Sequence, residues 1–352
     1  MNTPSTISIK ISKISLICAF FVVCIHCKPT GTVGGFTWWV NETFNKGICS
    51  IAVPFFFVVS GFFLAKHIHE NHWWKHEVNK RVKSLLIPYV SWSILYFLYA
   101  IPLILIANII ANTSLLRNFP TSFNDWLRIL GLDPFYYPYL VPLWFVRCLF
   151  LFVLISPIIT WTVKKSKFAS SVFLLFILSF GILCDSFHPV AGEFLWFTVG
   201  TFSVVSLFYF SLGLHLALYP LQNASPKILT YLAGGLWVIL LVLRGIASLY
   251  APCLSETFHF FSIPVGLYFV WHITSDRQWN HTLTQASFSI FILHMFFLSI
   301  IGLFIRHLIP SIEKTLTASL ISAMVAFVGS IIVSYFMHKF FSRACRFLFG
   351  GR

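Results

Sequence analysis

Two histidines are the side chains of this chain best suited to chemistry. His26 closes the apolar run from Ile17 to Ile25, and His294 ends the stretch Ser287-Phe288-Ser289-Ile290-Phe291-Ile292-Leu293. A neutral imidazole takes a proton from a hydroxyl near pH 7, which a general base in acyl transfer must do. The same groups also serve as hydrogen-bonding links between packed helices, and the residues alone leave both uses open. Arg147, in Pro142-Leu143-Trp144-Phe145-Val146-Arg147, is the cation most deeply set among apolar residues. Arg244, His215, His272 and His338 fall near the ends of apolar runs, where an interfacial position accounts for them. Carboxylates are scarce, and Asp185 and Glu193 are the loop candidates to pair with His26, solvation being their ordinary use.

Other patterns carry less. His67, His69, His72 and His76 cluster, with His72 and His76 at the i,i+4 spacing of a helix-borne metal pair. No further ligands complete a set, so the segment, rich in Trp73, Trp74, Lys75 and Lys80, reads as an amphipathic stretch at the headgroups and no metal site is expected. The eight cysteines read as small packing residues rather than a zinc or thioredoxin-like site; Cys27 and Cys49, at the outer ends of neighbouring helices, could pair in an oxidising compartment, unpaired packing being their ordinary use. Ser60-Gly61 lacks a Gly-x-Ser-x-Gly frame and reads as a close helix contact.

The elements that position these groups follow from composition. Of 352 residues 58% are hydrophobic and 10% charged, with mean hydropathy +0.85, more apolar surface than a soluble fold can hide. In a bilayer core roughly 30 Å thick every backbone amide must be paired within its own segment, so spans are helices of about 20 residues. Apolar runs at 11–27, 48–66, 85–111, 142–163, 168–184, 197–219, 228–250, 258–274, 286–305 and 316–338 predict an all-α bundle of about ten transmembrane helices. The fifth and sixth runs are interrupted by Asp185, His188, Pro189 and Glu193. Lys10 and Lys13 ahead of the first run resemble the start of a signal peptide, but the run reads as a retained anchor. Nothing suggests repeats or a separate soluble domain, and the whole chain, 1–352, is expected to form one membrane domain. The segment of about 112–141 forms the longest outer loop.

Charge sets the expected orientation. With both termini in the cytoplasm, inner segments hold 16 of the 24 Lys and Arg residues, as the positive-inside tendency requires. The net charge of +14 is then a topology signal reinforced by anionic lipids, with no nucleic acid implied.

Five segments, in order, resemble the membrane-bound acyltransferase family three. His26 ends the first helix as the family histidine does. Ser50-Ile51-Ala52-Val53-Pro54-Phe55-Phe56-Phe57-Val58-Val59-Ser60-Gly61-Phe62-Phe63-Leu64 is similar to the family's most recognisable segment. Arg81-Val82-Lys83-Ser84-Leu85-Leu86-Ile87-Pro88-Tyr89 resembles the basic motif opening the third helix, Pro142 to Arg147 with Ser156-Pro157 the fourth, and Ser287 to His294 the late Ile-Tyr-Leu-x-His segment. The chain departs from the pattern at Ser15 and Ser84, where cations are usual, and at Phe291, usually tyrosine.

The resemblance implies transfer of an acyl group, commonly acetyl, from an acyl-CoA co-substrate such as acetyl-CoA to a hydroxyl of a cell-surface glycan or lipid-linked saccharide. It makes His26 the base or acyl carrier, and Arg147 and His294 groups that steady the oxyanion or orient the acceptor. Lys13, Lys80, Arg81 and Lys83 would hold the CoA phosphates. By analogy the location is a bacterial inner membrane, among membrane lipids. Two rival expectations stand: a transporter or flippase of a glycan or lipid intermediate, with His26, Arg147 and His294 lining its path, and a catalytically silent family member. A rival of the first kind would show paired broken helices in two halves; the second would fail to bind acyl-CoA.

Overall fold

The computed structural model describes residues 6–110, 120–133, 137–191, 203–220, 227–277, 279, 283–284 and 286–351. Among them there is helix and no strand, the outcome that a water-free core imposes on a chain this apolar. The long helices are α1 (Thr6–His26), α2 (Phe36–Val40) continuing through a π-turn and a 3-10 turn into α3 (Ala52–Leu64), then α4 (Trp73–Arg81) continuing through a π-turn into α5 (Ile87–Ile110). After the short α6 (Phe123–Ile129) come α7 (Trp144–Leu154), α8 (Ser156–Val163), α9 (Lys167–Ala191) and α10 (Val204–Leu218). The chain continues with α11 (Lys227–Tyr250), α12 (Pro252–Ile273), α13 (Ser287–Leu308), α14 (Leu316–Phe340) and α15 (Ser342–Leu348).

The described part of every expected apolar run is helical. Among the described residues, eight helical segments are long and apolar enough to cross a membrane, and α7 with α8, bent by 63°, would make a ninth. The run expected at 197–219 appears as α10, whose 15 described residues fall short of the roughly 20 that a hydrocarbon core requires.

The chain divides into two compact units. The first comprises Met1–Val59, Tyr219–Leu298 and Ile305–Tyr335; the second Ser60–Leu218, Ser299–Phe304 and Phe336–Arg352. In the first, Ala19, Val23 and Cys24 of α1 and Cys27 just after it meet Cys49, Ala286, Ile290, Ala323 and Ala326 in one buried cluster. Small side chains let helices approach closely where no water drives them together. α11 and α12 lock reciprocally: a Cβ on Gly234 would meet the Phe269 ring at 2.7 Å, and one on Gly266 the Trp237 ring at 2.5 Å. On the opposite face of α11, Ile228, Leu232, Leu236 and Ile239 recur at helical spacing and are exposed, the pattern of a lipid-facing stripe.

In the second unit, the carbonyl of Phe210 would lie 1.9 Å from a Cβ at Gly61. Ser60-Gly61 is therefore a close helix approach, as its sequence context suggested. The break between α7 and α8 has an equally local cause. Pro157 lacks an N–H and its ring crowds the carbonyl four residues back, that of Val153. That carbonyl accepts instead from the Ser156 hydroxyl (2.7 Å) and the Trp74 indole (3.2 Å), and the indole also reaches the carbonyl of Leu154 (3.2 Å). Trp74 thereby fastens α4 to the bend.

Candidate active site

α1 ends at His26, where the sequence reading put it, and in the first unit the His26 and His294 rings stand 5.3 Å apart between centroids, inclined at 39°. His294 is fully buried, and its Nδ1 lies 2.9 Å from the carbonyl of Ile290, one turn back on α13. A carbonyl only accepts, so Nδ1 carries the proton and Nε2 is the nitrogen left with a lone pair. Among the described residues Nε2 has no hydrogen-bond partner. A buried polar atom in that position calls for an explanation.

The surroundings of His26 contain something the sequence reading passed over: Cys24-Ile25-His26-Cys27 has C-x-x-C spacing and brackets the histidine. All eight cysteines are free thiols here. Cys49, expected opposite Cys27, instead hydrogen-bonds to Cys24, while the Cys27 carbonyl accepts from the buried Asn45 amide at 3.2 Å. Just beyond the helix end, burial pushes the Cys27 thiol up to about 12.

The expected phosphate-binding cations divide into two kinds. Lys13 is buried in α1 and its ammonium bonds to the Ser275 carbonyl and hydroxyl (both 2.9 Å) and the Arg277 carbonyl (3.1 Å), over the Trp279 ring. Its three protons are thus committed to the turn after α12, helped by the Lys10–Asp276 ion pair at 3.4 Å. Lys13 and His26, thirteen residues apart, lie about 20 Å from each other along α1. In the second unit Lys80 and Lys83 are exposed, whereas Arg81 is paired at 2.6 Å with Glu77, a fully buried carboxylate that lies 3.7 Å from Lys80. The Glu-x-x-Lys-Arg spacing was the legible signal for this cluster. Ser84, standing where a cation is usual, is covered by the turn at Gly350.

Arg147, also in the second unit, donates from one terminal nitrogen to the carbonyls of Gly131 (2.8 Å) and Asp133 (2.9 Å), and Tyr89 donates to Gly131 at 2.6 Å. Gly131 has φ +68°, a left-handed conformation that glycine adopts without a Cβ penalty. Arg147 and Tyr89 line a cavity of about 160 Å³ with Leu85, Leu86 and Phe150.

A profile of known proteins described as an acyltransferase domain (Acyl_transf_3) matches residues 16–339. The chain belongs to the acyltransferase 3 family. Membership over most of the length makes it a membrane-bound, multi-pass acyltransferase-family protein and implies an acyl donor and an acceptor. No curated protein and no solved structure matches the chain.

Within this acyltransferase 3 chain, the proposed carboxylate partners Asp185 and Glu193 lie outside the described side chains, as do Asn118, Pro134 and Tyr136 of the long loop. The buried acid of the first unit is Glu42, on the π-turn Asn41–Asn45, which the sequence reading did not single out. It pairs with Arg244, expected at an interface but in fact 5% exposed: the guanidinium donates to the Glu42 carbonyl at 2.8 Å and to its carboxylate at 3.3 Å. The available signal was a lone arginine set in an apolar run and one acid in the short segment between two such runs. The histidine cluster at 67–76 resolves into a His67–Glu70 hydrogen bond of 3.0 Å.

Proposed function

We propose that the protein moves an acyl group, acetyl in the simplest case, from acyl-CoA to a hydroxyl of a cell-surface or lipid-linked glycan. The observation that carries this is the pairing of half-buried His26 with buried His294, Nδ1 of His294 being tied to the Ile290 carbonyl and Nε2 left open. In this reading the acceptor hydroxyl attacks the thioester carbonyl while His26 takes its proton, His294 Nε2 sharing the charge. The tetrahedral intermediate then expels CoA thiolate, which receives a proton from the imidazolium. In the variant with His26 as transient acyl carrier, the imidazole nitrogen displaces CoA thiolate to form an acylimidazole, which the acceptor hydroxyl then cleaves to the product ester, giving its proton to the regenerated imidazole.

Lys80, Arg81 and Lys83 are assigned to the CoA phosphates. The engagement of all three Lys13 protons favours a purely structural role for Lys13. Arg147, which holds the Gly131 turn of the second unit, is assigned to steady an oxyanion, a role its charge suits. Both termini in the cytoplasm of a bacterial inner membrane complete the reading, with acyl-CoA drawn from that side.

The test is acyl transfer from labelled acetyl-CoA to a cell-envelope glycan fraction by purified protein in lipid, wild type beside His26→Ala, with acetyl-CoA binding recorded in the same samples. Binding with His26-dependent labelling is expected. A well-folded wild type that binds no acetyl-CoA sinks the proposal and favours a transporter or silent relative.

A further inference from the structure

The first unit contains a polar concavity that the acyl-transfer scheme does not use. It measures about 250 Å³ and is lined by Trp38, Glu42, Lys46, Arg244, Ser248, Ser255 and Glu256. Its charged side chains are two acids and two bases, so the lining is neutral overall. The floor is the buried Arg244–Glu42 pair, with Lys46 bonded to the other side of the Glu42 carboxylate. This arrangement fixes both carboxylate oxygens and one guanidinium nitrogen, while the Arg244 Nε, also buried, has no partner among the described residues. A second orphan lies close by. His259 is one turn beyond Ser255 on α12, and its buried Nδ1 has no partner among the described residues.

We infer that this cavity binds a single neutral sugar ring of the acceptor. The inference rests on the acyltransferase reading for the identity of the ligand as an acceptor, but on this cavity alone for its chemistry. Three features select a sugar. Alternating donors and acceptors (Arg244, Lys46, Glu42, Glu256 and two serine hydroxyls) match a ring whose hydroxyls each donate and accept. Trp38, partly exposed and held edge-on against Trp39 at 5.1 Å, offers an aromatic wall for the apolar face of such a ring. The balanced lining gives an anion no net attraction, and a volume below the 300–1,000 Å³ of typical ligand sites admits one ring and not a chain.

The cavity is also built into the segment that borders the histidine. Trp38, Glu42 and Lys46 lie on the stretch from Phe36 to Lys46, and Asn45 of that stretch bonds to the Cys27 carbonyl next to His26. Arg244 holds the same stretch through the Glu42 carbonyl, and its own carbonyl accepts from Ser255 at 3.1 Å. Occupancy of the cavity is therefore able to order the backbone beside His26.

The experiment uses the full chain in lipid nanodiscs and saturation-transfer NMR against a panel of neutral hexoses, 6-deoxyhexoses and N-acetylhexosamines, with inorganic phosphate as the anionic control and acetyl-CoA binding measured separately. The variants are Ser248→Leu, which fills the cavity and spares the Arg244–Glu42 pair, and Trp38→Leu, which removes the aromatic wall. At least one panel sugar is expected to bind wild type, and each variant to weaken it about tenfold, the loss of one or two good contacts, with acetyl-CoA binding unchanged. Sugar binding that survives both variants overturns the inference, as does no sugar binding by wild type or displacement of the sugar by phosphate. If the sugar binds as described but acetyl-CoA does not, the cavity assignment stands and the acyltransferase reading falls.

Discussion

Replacing His294 with asparagine separates catalysis from packing. The Asn amide can reproduce the Nδ1–H donor toward the Ile290 carbonyl, a hydrogen bond worth about 1 kcal/mol, but it places nothing where Nε2 stands. If Nε2 shares the proton taken by His26, the variant stays folded and loses the general-base contribution, about 10²- to 10⁴-fold in rate. At 1.36 kcal/mol per decade that is roughly 3–5 kcal/mol of barrier, several times the structural hydrogen bond and therefore separable from it. Single-turnover transfer from labelled acetyl-CoA, normalised to folded protein by size exclusion and thermal melting, reads both quantities. His26→Asn and the double variant His26→Asn/His294→Asn complete the cycle. Rings 5.3 Å apart that act as one unit give a double variant no slower than the slower single one. The reasoning fails if His294→Asn keeps more than about a tenth of wild-type rate while His26→Asn is inactive, for then His294 only packs and donates.

Three further outcomes follow from the geometry. Glu42→Gln leaves the buried Arg244 charge without its carboxylate and should cost about 3–5 kcal/mol, seen as a lowered melting temperature in nanodiscs; an unchanged melt would show the pair to be solvated. Gly61→Ala places a methyl against the Phe210 carbonyl, while Gly235→Ala meets nothing within 4 Å. The first should cost about 1–3 kcal/mol and lower the folded yield, and equal yields of the two would contradict the close approach. Lys13→Met should lower stability without raising KM for acetyl-CoA, whereas Lys80→Ala/Lys83→Ala should raise KM with stability unchanged; the reverse pattern would return Lys13 to the phosphate site.

The parts of this protein that could be read from its sequence are those imposed by the solvent. Helicity, the place of each apolar run and the termination of α1 at His26 follow from the need to pair every amide inside lipid, and the structure has them. A break inside a span was less legible, since a run such as 142–163 looks continuous in hydropathy. Its bend depends on one proline and on a tryptophan seventy-nine residues away that accommodates the released carbonyl. Lys13 shows the same limit: its charge and position suggest a phosphate ligand, yet Ser275 and Arg277, over 260 residues later, take all its protons.

The Glu42–Arg244 pair takes this one step further. Each residue by itself reads as interfacial, because a single charge near a helix end has water as its cheapest partner. Only their meeting across 202 residues makes burial tolerable, and a pair buried this way is seldom worth more to stability than apolar residues of the same volume. A membrane protein with ten acids in all that keeps Glu42 in such a pair, beside a polar cavity and on the stretch bonded to the residue after His26, is using it for position. Stability alone would have been met by leucine. The ion pair holds donors and acceptors in fixed directions at the mouth of a cavity, which an apolar replacement could not do, and that is the physical case for reading it as part of the functional apparatus of the first unit.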